Sequence, residues 1–225
     1  MRRIAITDIH GCLDSFKALL DKIAYTSEDE LYLLGDYIDR GPDSKGVIDL
    51  ILKLREQGHE ILCLTGNHEA MFLEIAGESE GTPLDLYPGL PDTLLSYGCH
   101  HPRDIPMGHL DFMSTLPYYH EVDGFLLVHA GLNFRIANPL DDLSSMIWER
   151  YWYTRINKDW LQDRIILHGH TPTYVDDILR MYAGLDILQF MVLDSGCVYD
   201  RRGLHQLTAF DMTNRKLYFQ ENVEG

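Results

Sequence analysis

Aspartate, histidine, asparagine and arginine gather in five short segments of this chain. They are Asp8-Ile9-His10-Gly11, Gly35-Asp36-Tyr37-Ile38-Asp39-Arg40-Gly41, Gly66-Asn67-His68-Glu69, His129-Ala130-Gly131 and His168-Gly169-His170-Thr171. Carboxylate, imidazole and amide oxygen form a mixed nitrogen and oxygen donor set that suits Mn2+, Fe or Zn2+ better than Ca2+. None of the five contains cysteine, which argues against a structural zinc site. Each segment alone has a simpler explanation, since Asp or Asn before Gly is ordinarily a turn residue and a lone His is ordinarily a hydrogen-bonding one. Their joint occurrence points to a metal centre.

Apolar runs at 3–7, 30–34, 60–65, 124–129, 164–167 and 189–194 have strand length, and several end in a polar, glycine-containing cluster. Parallel strands buried on both faces read this way. Between the first three runs, apolar residues recur at spacings of three and four over 12–25 and 45–57, which predicts helices. The β-α-β-α-β alternation predicts an α/β architecture. Ligands of open α/β sheets bind outside the carboxyl ends of strands, so the five segments are expected to converge. Residues 70–120 break the rhythm with repeated Gly and Pro and only short helical patterns at 70–75 and 92–97, as expected of an excursion over the sheet's rim, a cap. The tail at 204–221 alternates polar and apolar residues around Asp211-Met212-Thr213-Asn214, which predicts a closing hairpin.

With 225 residues, 45% of them hydrophobic and 24% charged, the chain has globular composition, and a single domain over 1–225 is expected. Asp and Glu number 35 against 19 Lys and Arg, a net charge of −16 with no basic run, so nucleic acid is not an expected partner. No apolar stretch approaches the roughly 20 residues of a membrane span, and the N-terminus enters a strand pattern without a signal-peptide core, so a cytoplasmic location without membrane association is expected. Cys12, Cys63, Cys99 and Cys197 lack paired C-x-x-C spacing and are expected to be reduced.

The ordered set DxHG, GDxxDRG, GNHE, HAG and GHT closely resembles the phosphoprotein phosphatase family of metallophosphoesterases, over residues 4 to about 210. The compact length resembles its bacterial and phage serine/threonine phosphatases. GDYIDRG and GNHE, one βα unit apart, carry most of the specificity. The resemblance implies two packed mixed β-sheets flanked by helices, with a dinuclear metal centre at the strand ends. It implies Asp8 and His10 as ligands of one ion, Asn67, His129 and His170 as ligands of the other, and Asp36 as the bridge. The two divalent ions are expected to be Mn2+, with Fe or Zn2+ as alternatives, and a hydroxide between them would attack phosphorus in line.

The same resemblance gives Arg40 and Arg150 to the phosphate oxygens, His68 to the leaving group as general acid, and Asp39 to the orientation of its ring. His168 is expected to support the ligands rather than be one. Thr7 stands where the family usually has Gly, which bears only on the backbone beside Asp8. Cys12 is expected to be a small packed residue at a helix start. His59, His100, His101, His109, His120 and His205 are expected to be exposed or at the core's edge. Asp194-Ser195-Gly196 resembles the family's closing DTG segment, and Arg201 and Arg202 after it read as a solvated turn that could also meet an acidic substrate.

The expected activity is hydrolysis of phosphoserine and phosphothreonine in proteins, and the nearest alternative is symmetrical hydrolysis of diadenosine tetraphosphate, which uses the same motifs. A protein or a small phosphoester is therefore the expected partner, and regulatory subunits are not implied. A non-catalytic metal- or phosphate-binding module is disfavoured because no motif residue is missing.

Overall fold

Strands β1 (Arg3–Ile6), β2 (Glu30–Leu33) and β3 (Glu60–Cys63) run parallel, with α1 (Leu13–Lys22) and α2 (Ser44–Glu56) as crossovers, in a computed structural model that describes residues 1–77 and 87–224. The part of the predicted excursion at 78–86 lies outside the described residues. Alternate residues of a strand face opposite ways, and here the two faces enter different cores. Ile4, Ile6, Leu31 and Leu33 pack with Phe16, Leu19, Val47 and Ile51 of the helices. Ala5 and Tyr32 look the other way, into a second core.

Beyond β3 come α3 (Asn67–Gly77), α4 (Leu90–Tyr97) and α5 (Met107–Ser114). Leu90, Leu94, Phe112 and Met113 from the last two join the core beneath α1 and α2. The second sheet has the order β4 (Tyr119–Val122), β5 (Phe125–Val128), β6 (Ile165–His168), β7 (Phe190–Val192). β5, β6 and β7 are parallel, and β4 is antiparallel to β5. Helices α6 (Leu143–Trp148) and α7 (Lys158–Leu161) lie between β5 and β6 in sequence, and α8 (Val175–Ala183) and α9 (Leu185–Leu188) between β6 and β7. Leu126, Val128 and Ile166 face Met146, Trp152 and Leu161 on the outer side. Phe125, Leu127, Leu167 and Met191 face Tyr32 and Phe210 on the inner side.

The predicted tail hairpin forms from β8 (Gln206–Asp211) and β9 (Lys216–Glu221), and β8 pairs antiparallel with β1. The first sheet is therefore β3-β2-β1-β8-β9. Two mixed sheets packed face to face and flanked by helices match the expected fold class. Five of the six predicted strands stop one or more residues short of their apolar runs, where the chain turns out of the ladder into the segments at their ends; β6 runs one residue past its own, to His168.

Candidate metal centre at the strand ends

Twelve described non-glycine residues have positive φ, and six of them are predicted site residues: Asp8, His10, Asp36, Asp39, Arg40 and His170. Left-handed backbone is uncommon for residues with a Cβ and costs on the order of 1 kcal/mol or more each, so the loops hold these side chains against a local preference. Gly35, at φ +101°, lets two loops close on one another: a Cβ there would sit 2.7 Å from Gly66 N and 2.8 Å from His129 Nδ1.

The first cluster centres on His129, a fully buried ring. Its Nδ1–H donates to Leu34 O (2.9 Å), which leaves the lone pair on Nε2. That nitrogen lies 3.1 Å from Asn67 Oδ1, 3.2 Å from His170 Nδ1 and 3.4 Å from Asp36 Oδ1. Burial pushes the His129 pKa down, so the ring stays neutral and Nε2 brings no proton to these neighbours. Buried His170 Nε2 has no hydrogen-bond partner, and burial pushes this ring down to about 2. Three side-chain donor atoms packed this closely around one lone pair are a donor set for a cation.

His10 anchors the second cluster in the same way. Its Nδ1–H donates to Ile38 O (2.9 Å), and Nε2 lies 3.5 Å from Asp36 Oδ2. Asp36 thus turns one oxygen to His10 and the other to His129. Donor atoms of His10, Asp36 and His68 lie within 4.8 Å of one another, as do those of Asp36, His129 and His170. A cation already meets the second cluster: Arg40 Nη1 is 2.5 Å from His10 Nε2, and Arg40 Nη2 is 2.8 Å from His68 Nε2. His10 Nε2 has one lone pair, so either a guanidinium or a metal ion takes it.

His68 is paired on its other side with Asp39, at 2.6 Å between Nδ1 and Oδ2. Burial depresses the His68 pKa, but the charge of Asp36 and the hydrogen bond to Asp39 outweigh it and raise the net value. Asp39 is braced in turn. Thr93 Oγ1 donates to its Oδ1 (2.6 Å) and accepts from its N–H (2.9 Å). Motif spacing gives no hint of Thr93, which comes from α4, 54 residues away. The sequence signal for it would have been a hydroxyl on the buried face of a short helix.

Asp8 belongs to neither three-donor cluster. Both of its oxygens accept the His170 N–H (3.0 Å each), and the Thr7 hydroxyl donates to Oδ2. Thr7, the departure from Gly, therefore adds a hydrogen bond to the carboxylate. Asp194 is also buried, and burial followed by the charge of Asp8 holds its carboxyl well above the usual range. Asp36 is raised likewise, first by burial. Crowded buried carboxylates and neutral imidazoles form a site short of positive charge, and divalent cations reverse both shifts.

Glu69 is the other residue the motif reading left without a role. Its fully buried carboxylate accepts the N–H groups of Asp36 (2.9 Å), Tyr37 (2.8 Å) and Gly66 (2.9 Å). The last bond is half of a capping box, Glu69 standing three residues after Gly66, which immediately precedes α3. Glu69→Ala is expected to cost about 3 kcal/mol or more in urea unfolding, because three buried donors lose a charged acceptor. A cost below about 1 kcal/mol would show that water replaces it.

Arg150 lies against the fifth segment, where Nη1 donates to His170 O (2.7 Å) and Thr171 Oγ1 (3.1 Å). His168 points away from the donors. Its ring is buried among Trp152 and Tyr153, and its Nδ1–H donates to Gly169 O (3.0 Å). Cys12 is packed at the start of α1 beside Cys197, and their hydrogen bond, with burial, pushes its thiol up. Of the remaining histidines, His109 is buried, bonding to Tyr97 OH (2.7 Å) and Asp49 (3.2 Å), while His100 is exposed.

Among solved structures, one of a candidate diadenosine tetraphosphatase superposes with a TM-score of 0.68 at 21% identity, covering 100% of this chain and 95% of that one. A protein serine/threonine phosphatase from Saccharomyces cerevisiae superposes with a TM-score of 0.65 at 15% identity, covering 100% and 81%. These likenesses show a shared fold and do not separate the two substrate classes. Two curated relatives carry the name symmetrical bis(5'-nucleosyl)-tetraphosphatase. The one from Cellvibrio japonicus is 32% identical over 188 residues, 80% of this chain and 62% of its own length. The one from Dechloromonas aromatica is 36% identical over 135 residues, 59% of this chain and 44% of its own length. The matched part of the chain thus spans less than two thirds of either relative. The sequence pattern of the calcineurin-like phosphoesterases runs through residues 1–201, all five donor-bearing segments included, and the chain belongs to that family.

Proposed function

We propose that this protein hydrolyses dinucleoside tetraphosphates symmetrically, to two nucleoside diphosphates, with two divalent cations, Mn2+ foremost, held by His10, Asp36, Asn67, His129, His170 and Asp8. The observation that carries this reading is the symmetrical tetraphosphatase relative aligned over 80% of the chain. The relatives thus favour the alternative over the protein phosphatase expected first from the motifs. Support for a dinuclear site comes from the two histidines that Asp36 faces with its separate oxygens. Asp8 fits less directly, since its oxygens are taken up by the His170 N–H.

When bound, the cations offset phosphate charge and activate water for in-line attack. The chain's own groups do the rest. Arg40 and Arg150 have forked guanidinium groups suited to paired phosphate oxygens, and such oxygens compete with the contacts these side chains now make. With Arg40 on His68 Nε2, that nitrogen is an acceptor and the ring is neutral. Transfer of Arg40 to phosphate releases Nε2 to carry a proton toward the leaving oxygen, while Asp39, fixed by Thr93, holds the ring.

Manganese-loaded protein is expected to convert diadenosine tetraphosphate to ADP alone and to release phosphate from a phosphoserine peptide at least tenfold more slowly. ATP with AMP as products would refute symmetrical cleavage. Faster turnover of the peptide would restore the protein phosphatase reading.

A further inference from the structure

A cleft of about 430 Å3 opens beside the metal centre, walled by Pro172 and Tyr174 from the loop after β6 and by Tyr199, Asp200, Arg201 and Leu204 from the loop after β7. Its volume is that of a small-molecule site, about 300–1,000 Å3. The Arg40 guanidinium lies 5.9 Å from the centre of the Tyr199 ring, so one wall of the cleft adjoins the candidate phosphate site.

The geometry points to this cleft as the subsite for one nucleobase of the dinucleoside substrate, with Tyr174 and Tyr199 as stacking surfaces; the inference rests on the substrate proposed above. Both tyrosines are 38% exposed. Their positions are built rather than incidental. Gly203 has φ +87°, and a Cβ on it would lie 2.9 Å from Tyr174 Cδ1, so only glycine lets the backbone support that ring. Val175 N–H donates to Gly203 O (3.0 Å), tying the two loops together, and Tyr199 N–H donates to Gly196 O (2.9 Å). The Arg201 guanidinium lies 5.6 Å from the centre of the Tyr174 ring.

The chemistry of the walls selects the occupant. A flat neutral ring gains from tyrosine and guanidinium faces, and the Asp200 carboxylate offers an acceptor for the N–H groups at its edge. A further phosphate would meet Arg201 and Asp200 together, so the paired charges cancel and the two tyrosine faces favour a flat ring. The residues the sequence left as a solvated turn, Arg201 among them, thus acquire a place in substrate selection.

The test compares ADP with inorganic pyrophosphate as ligands of the manganese-loaded full chain by titration calorimetry. ADP is expected to bind tighter than pyrophosphate. Tyr174→Ala is expected to weaken ADP about 5- to 150-fold, the value of one base stacked on an aromatic ring, and to leave pyrophosphate within about twofold. Tyr174→Phe should retain ADP binding. Equal weakening of both ligands would overturn the subsite, as would ADP affinity indifferent to Tyr174→Ala and Tyr199→Ala in variants with wild-type thermal unfolding. If those variants do not fold, wild-type protein decides: ADP bound no tighter than pyrophosphate overturns the subsite. The substrate reading fails separately, by absence of ADP formation from the tetraphosphate in wild-type protein whose ADP binding still depends on Tyr174.

Discussion

Asp36→Asn is expected to lower turnover of diadenosine tetraphosphate by about 10³-fold or more, and by more than Asp8→Asn does at equal metal content. The two carboxylates differ in what surrounds them. Asp36 faces His10 with one oxygen and His129 with the other, so its charge serves both donor clusters. Asp8 stands in neither cluster and gives its oxygens to a backbone N–H and a threonine hydroxyl. An amide at position 36 keeps the size but brings an NH2 group to a position flanked by lone pairs and removes the shared negative charge. Metal content by elemental analysis and kcat at saturating manganese separate lost binding from lost catalysis. The reverse order of damage at equal loading would remove Asp36 as the bridge. Exhaustive chelation should likewise abolish the wild-type activity and manganese restore it. Full activity with negligible metal would end the metal-centre reading altogether.

Much of the site was legible because its residues are polar interruptions at the ends of apolar runs. Asp8, Asp36, Asn67 and His129 each follow a strand that the hydrophobic pattern marks; parallel β1, β2 and β3 bring the first three to one edge, and the packing of the second sheet brings His129 of β5 to them. The two-sheet arrangement was less visible. β4 has no fully buried residue and no apolar run, so it carries no pattern that separates it from loop. The antiparallel hairpin was read from its turn, but that it closes on β1 rather than on the second sheet depends on packing far apart in sequence.

The bracing of the loops that carry the candidate site was hidden for a different reason. Thr93 reaches Asp39 from a helix outside every motif, and the left-handed backbone at Asp8, His10, Asp36, Asp39, Arg40 and His170 is imposed by tertiary contacts that override the usual preference of these residues. Glu69 was written in the motif, but its role was not. Nothing local tells that a helix-capping glutamate also accepts the N–H groups of Asp36 and Tyr37, 33 and 32 residues away. The Tyr174 and Tyr199 platform was likewise split between two loops, and only the fold joins it to Arg40.

His68→Ala is expected to lose about 10²–10⁴-fold in kcat on a phosphoserine peptide and far less on nitrophenyl phosphate, the signature of a general acid. A serine alkoxide is a poor leaving group and must gain a proton as the bond to phosphorus breaks. Nitrophenolate bears its negative charge readily and needs little protonation. A nucleoside diphosphate also leaves as a stabilised anion, so the loss on diadenosine tetraphosphate should fall nearer the aryl ester than the peptide. The pairing with Asp39 fixes which nitrogen of His68 points to substrate, and the raised pKa favours the protonated ring once Arg40 turns to phosphate. Alanine also removes a neighbour of Arg40 and of His10, whose ring centre lies 4.8 Å from that of His68, so metal content must be shown to be unchanged. Chemistry must limit the rate on both monoesters for the comparison to hold, which single-turnover measurements establish. Equal losses on peptide and aryl ester under those conditions would assign His68 to holding phosphate or Arg40 in place. The proton would then have to come from another group or from water, since burial pushes His10, His129 and His170 down and their neutral rings are poor acids.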